Sequence, residues 1–195
     1  KFNFIPNMDE DINFRKVFLM TMIVSLSISA LIGIIIFLIG EFGEIEAKTL
    51  FTTLAIGGFS LTALCCSTLL EKHRFTAFAK TGIALSVLVF IFTILTIWEL
   101  MDFRDAWKIV FILIILSISV AHGSLLLLIR SKKTNINVSL MLTLIFIFLV
   151  AVMLIILVLN DFFMIDNDFF FRLLGVFAIL DVLGTIVTPI MQKVN

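Results

Sequence analysis

Charge is what this sequence has least of. Only 14% of its residues are Asp, Glu, Lys or Arg, against 62% hydrophobic residues and a mean hydropathy of +1.24. A chain of 195 residues cannot bury that much apolar surface in water, which excludes an ordinary soluble globule and points to a membrane. Neither sign is in excess: 14 bases balance 14 acids, so no global charge is available to attract nucleic acid. Cysteine is nearly missing. The two present, Cys65 and Cys66, are adjacent in an apolar run, a spacing that suits neither a disulfide nor a zinc site and reads as two small packing residues.

Catalytic and channel signatures are lacking as well. The chain has no zincin pair, no rhomboid-like serine and histidine, no intramembrane aspartyl dyad and no phosphate-binding glycine loop, so it is not expected to be an enzyme. It also lacks a potassium-channel filter, the paired asparagines of aquaporins and a voltage-sensor arginine ladder. His73 and His122 alone do not make a metal site, and no cofactor is expected. The leading KFNFIPNMDEDINFRK has no small-residue cleavage pattern and opens on Lys1 rather than Met. It reads as a trimmed start, not a cleavable signal peptide.

What the sequence does have is six apolar runs. A spanning helix needs about 20 such residues to cross about 30 Å of hydrocarbon. The runs at 17–40, 49–70, 76–98, 109–129, 135–160 and 173–191 meet that length, the third only if Lys80 extends its stem toward the headgroups. They predict an all-α, polytopic transmembrane helical bundle of six spans in a single integral membrane domain.

The scarce charges are sorted by connector. Bases on one side are Lys1, Arg15 and Lys16; Lys72, Arg74 and Lys80; Arg130, Lys132 and Lys133; and Lys193, ten in all, against Lys48, Arg104, Lys108 and Arg172 on the other. Connectors this short obey the positive-inside rule, which places both termini in the cytoplasm, N-in and C-in; short connectors and no extramembrane domain fit a cell-membrane protein of the prokaryotic inner-membrane kind. Acids sort the opposite way, in three clusters that include Glu41, Glu44 and Glu46, and Glu99, Asp102 and Asp105. Such clusters can concentrate cations, but none has calcium-loop spacing, and translocated connectors tolerate acids in any case. Trp98 and Trp107 bracket the second outer connector, at the level where amphipathic rings prefer to sit. The sequon at Asn137 and Ser139 falls at a cytoplasmic helix start and is expected to be inert.

Small and hydroxyl residues three and four apart mark helix-packing sides. Ser25, Ser29 and Gly33 form such a series in span one, and Ser119 with Gly123 in span four. Span two is rich in Thr, Ser, Gly and Cys and should be surrounded by protein, whereas span five is bulky on every face and should meet lipid. The pair Gly57–Gly58 either admits a neighbouring backbone or breaks the helix and frees carbonyls for an ion. Residues 25–39 and 115–129 match at seven of fifteen positions, which suggests an inverted three-plus-three repeat.

One acid lies inside a span. Asp181, nine residues from Arg172 and twelve from Lys193, falls near mid-membrane, where it costs about 2.5–3.5 kcal/mol unless protonated or paired. It shares a face with Ala178, Gly184, Thr185 and Thr188, and Pro189 follows, able to free carbonyls near the exit. That face should point into the bundle, which puts span six toward the interior with spans two and four. The other strongly polar side chain at such depth is His122. A His122–Asp181 pair, with Thr185 and Thr188 beside it, is the candidate ion or proton site, or else a polar clamp that fixes helix packing. The expected role is an accessory or scaffolding subunit whose partners are the lipid bilayer and other integral membrane subunits or a second copy of itself. The alternative is a small proton- or cation-linked transporter or channel.

Overall fold

A computed structural model of the chain describes residues 14–39, 43–72, 75–100, 105–129, 133–160 and 168–194. The described residues form six α-helices and no strand: α1 (Phe14–Ile39), α2 (Glu44–Glu71), α3 (Thr76–Ile97), α4 (Ala106–Leu127), α5 (Thr134–Leu159) and α6 (Asp168–Val194). Even the shortest, at 22 residues, is about 33 Å long, and all six are apolar enough to cross a membrane. The chain is therefore an all-α protein of six membrane-length helices. The leader, the His73 connector and much of the acidic clusters lie outside the described residues.

The two largest early starts relative to hydropathy, at α2 and α6, have the same electrostatic reason. Glu44 and Glu46 occupy the first turn of α2 and Asp168 that of α6, where the positive end of the helix dipole favours acids. At α2 the effect is reinforced by Lys48, which donates to Glu44 at 2.6 Å one turn earlier. The end of α3 uses a different device. Glu99 takes a left-handed φ of 54°, and the Glu99 and Leu100 amides return to the Thr96 and Leu95 carbonyls at 3.2 and 2.9 Å. This is a Schellman stop with glutamate where glycine is usual. Lys48 also pairs with Glu99 at 3.1 Å, tying the strained stop to the start of α2.

Helices α2, α3 and α4 pack mutually and form the centre; α1 lies against α2, α5 against α4, and α6 against α5. As span two was read to be, α2 is the most enclosed, with 44% of its apolar window buried. The expectation for the last two spans is reversed. Only 6% of the α6 window is buried, and 11% of that of α1, so these two are the flanks. Helix α5 is not the lipid-facing one: it buries Ile136, Thr143, Ile147, Ala151, Met153 and Val158 between α4 and α6. Small and hydroxyl residues show that a helix side meets another helix, but not how many neighbours that helix has. This is why α6 was assigned to the interior.

The central packing is built on small polar contacts. Thr62 of α2 donates to Ser86 of α3 at 3.0 Å, and Ser86 lies 3.4 Å from Ser117 of α4. One turn further along α2, Cys66 Sγ sits 3.4 Å from Ser124 Oγ of α4. Gly82 of α3 lets these helices close in: a Cβ there would stand 2.5 Å from Cys66 Sγ and 3.0 Å from Val120. Cys66 is 1% exposed and both cysteines are free, which fits packing.

Helix α2 runs unbroken through Gly57–Gly58. Gly57 is buried where α1 crosses, with its Cβ position 2.8 Å from Leu26 and 3.0 Å from Ser25 Oγ, whereas Gly58 faces open space. On α1, Ser29 donates to Thr53 at 2.6 Å, but nothing stands within 4 Å of a Cβ at Gly33. The close contact therefore runs through the Ser25–Ser29 turn and ends there. The matched segments 25–39 and 115–129 are used differently. Ser27 bonds only to its own helix and is exposed while its counterpart Ser117 is buried in the centre; Gly33 is open while Gly123 is buried near Leu144 and Phe78. Sequence likeness here does not extend to packing.

Candidate intramembrane polar site

Asp181 lies at the middle of α6, thirteen residues from either end. Its side chain is 13% exposed and faces α4, where His122 projects from the second half of the helix. His122 Nδ1 stands 4.0 Å from Asp181 Oδ2, within ion-pair range but too far for a hydrogen bond. The other ring nitrogen, Nε2, lies 2.9 Å from Thr185 Oγ1, one turn along α6 from Asp181. Imidazole thus bridges two residues of the neighbouring helix, and its tautomer decides which way the Thr185 bond runs. The second carboxyl oxygen, Oδ1, is buried with no hydrogen-bond partner among the described residues.

Around this trio is a seam of hydroxyl groups that the sequence reading missed on α5. Ser139 Oγ and Thr188 Oγ1 are 2.8 Å apart, and Thr188 donates back to the Gly184 carbonyl at 2.7 Å. Thr143, one turn beyond Ser139 and bonded to its carbonyl at 2.8 Å, fills the space over Gly184 so completely that a Cβ there would overlap its hydroxyl. The signal was present in SLMLT: two hydroxyl residues four apart at the start of an apolar run. It was masked by the run's length. Pro189 continues α6 without ending it, but it has no amide hydrogen for the carbonyl four residues back, that of Thr185. The polar turn that meets His122 therefore also has a backbone acceptor without its usual helical donor.

The structure brings together His122, Asp181 and Thr185, and it places Thr188 on a separate contact with α5. Ser25, Ser29 and Gly57 lie on the α1–α2 contact, and Gly123 is buried in α4. Ser119 bonds within its own helix at 2.8 Å, and Gly33 and Gly58 face open space. No group of three His, Cys, Asp or Glu side chains converges on one point among the described residues. Chemically, the trio has one carboxyl and one imidazole, which can exchange or share a proton, and one carboxyl oxygen in reserve. Comparison with protein-family models, with curated proteins and with solved structures gave no match to this chain.

Proposed function

We propose that the chain is an accessory or scaffolding subunit of a larger membrane assembly, with both ends at the cytoplasmic face and α6 as the helix that meets its partner. One observation carries this reading: the helix with the mid-membrane acid is an edge helix. An ionisable residue at that depth ordinarily faces a bundle interior. Here α6 has α5 and the His122 turn of α4 on one side and presents Val176, Ile179, Val182, Leu183 and Ile186 on the other. A neighbouring integral membrane subunit seated on that face would enclose the helix. The His122–Asp181–Thr185 contact would then act as a clamp that sets the angle of α6. The short connectors leave little surface for soluble partners.

The partly unsatisfied carboxyl supports a second reading, in which Asp181 binds a proton or cation and His122 relays it. The two readings separate in one experiment. A photo-reactive side chain at Val182 should capture a second integral membrane polypeptide in native membranes, and Asp181→Asn should weaken that capture without creating or removing any ion flux. If the chain instead isolates alone, and Asp181→Asn abolishes pH-dependent cation flux in liposomes, the relay reading replaces the subunit reading. Orientation rests on the ten-to-four asymmetry of basic residues. A cysteine at Lys193 should react only with thiol reagents that cross the membrane; labelling by an impermeant reagent from outside reverses the topology.

A further inference from the structure

Beside the central packing is a lateral groove of about 510 Å³, within the range of about 300–1,000 Å³ usual for small-molecule sites. Its walls are Phe51, Leu54 and Phe59 of α2 and Trp107, Phe111 and Ile118 of α4. Thr93 and Ile97 of α3, both buried, form its floor. The two hydroxyl groups that reach it are already engaged: Thr62 bonds to the Phe59 carbonyl and Ser86, and Thr93 to the Val89 carbonyl. Both hydroxyls are thus occupied, and the rest of the groove lining is aliphatic and aromatic, which suits hydrocarbon. Its depth comes from Gly58, whose missing side chain leaves open space midway along the α2 wall.

The dimensions and ends of the groove select the occupant. From Phe51 to Thr62, and from Trp107 to Ile118, each wall runs eleven residue steps, about 17 Å. Half of a hydrocarbon core of about 30 Å is about 15 Å, so the groove is one leaflet deep. It begins at the Trp107 turn, where Trp98 of α3 donates to Thr52 of α2 at 3.2 Å, and it ends near mid-membrane. Charges of both signs flank that end along the helices: Lys48, three residues before Phe51, pairs with Glu44 and Glu99, and Lys108, next to Trp107, pairs with Asp105 at 3.3 Å. Mixed charge matches a headgroup that itself has both a phosphate and an amine.

We infer that this groove is a phospholipid site: one acyl chain of a zwitterionic lipid lies between α2 and α4 over Gly58, with its headgroup among Lys48, Glu99 and Lys108. The site is independent of Asp181 and of any partner on α6. The test is native mass spectrometry of the full chain, extracted by detergent from vesicles of equal parts phosphatidylethanolamine and phosphatidylglycerol. One phosphatidylethanolamine should remain bound per wild-type chain. Gly58→Leu fills the groove and displaces roughly two methylenes of the acyl chain, so occupancy should fall about tenfold. Gly175→Leu, at an equally open glycine on α6, should leave it unchanged. Ile118→Trp narrows the groove from the opposite wall and should reproduce the loss if Gly58→Leu does not fold. The inference is overturned if the wild type keeps no lipid, if it keeps phosphatidylglycerol instead, or if groove-filling variants retain as much as wild type. It is equally overturned if Gly175→Leu loses as much as they do.

Discussion

In the α2–α3–α4 centre, Thr62, Ser86 and Ser117 meet one another, and Cys66 meets Ser124. In the α5–α6 wing, Ser139 and Thr188 meet in the same way, but one to two turns earlier on α6 the imidazole of α4 meets Thr185 and a carboxyl, one oxygen of which has no hydrogen-bond partner among the described residues. The first region shows how little polarity a membrane bundle needs to fix its packing: neutral hydroxyls, each able to satisfy itself on its own helix, cost almost nothing if a contact loosens. The second adds groups that cannot be left unpaired so cheaply. Ion-pairing groups therefore set the wing apart from the centre, where neutral contacts suffice.

Close approach at a glycine tests how far the two regions are independent. Gly82→Val pushes a branched side chain into Cys66 and Val120, both stiff neighbours, and should cost about 3 kcal/mol through overpacking. In a Cys65→Ser background, Cys66, 1% exposed in the native packing, should then become reactive to maleimide in detergent. Gly184→Ala, which overlaps Thr143, should cost about 1–2 kcal/mol and loosen α6 from α5. Cys66 should stay protected, because α6 makes no extensive contact with the centre. If Gly184→Ala exposes Cys66 as fully as Gly82→Val does, centre and wing are one cooperative unit and the comparison breaks. The smallest effect is expected at Ser86→Ala. Membrane hydrogen bonds average about 0.6 kcal/mol, and Thr62 keeps its bond to the Phe59 carbonyl when Ser86 is lost, so thermal unfolding should shift only slightly. A loss as large as that of Gly82→Val would mean that the hydroxyl contacts, not the close fit, hold the centre.

Much of this architecture was legible in the residues. Apolar run length marked six helices. His122 and Asp181 could be placed near each other because so few strongly polar side chains lie at such depth. The helix starts were misjudged where acids were taken to mark connectors: Asp168 and Glu44 belong to first turns, where a negative charge is welcome. The order of helices from centre to edge was legible at α2 but not at α5 and α6. Residues such as Gly184 and Thr188 show that α6 touches a helix, yet one neighbour is enough to account for them. Gly57 and Gly58 make the same point within a single turn: identical residues, side by side, one under α1 and the other on a groove wall. Nothing in the letters separates them, because the difference is made by a helix that arrives from elsewhere in the chain.

The packing order of the helices has a consequence for synthesis. Helix α2 rests on α1, α3 on α2, α4 on α2 and α3, α5 on α4, and α6 on α5. Every helix after α1 thus finds a docking surface among those that precede it. Asp181 enters after His122, which is already in place to receive it, so the acid need not cross the hydrocarbon unaccompanied for longer than the insertion of a single helix.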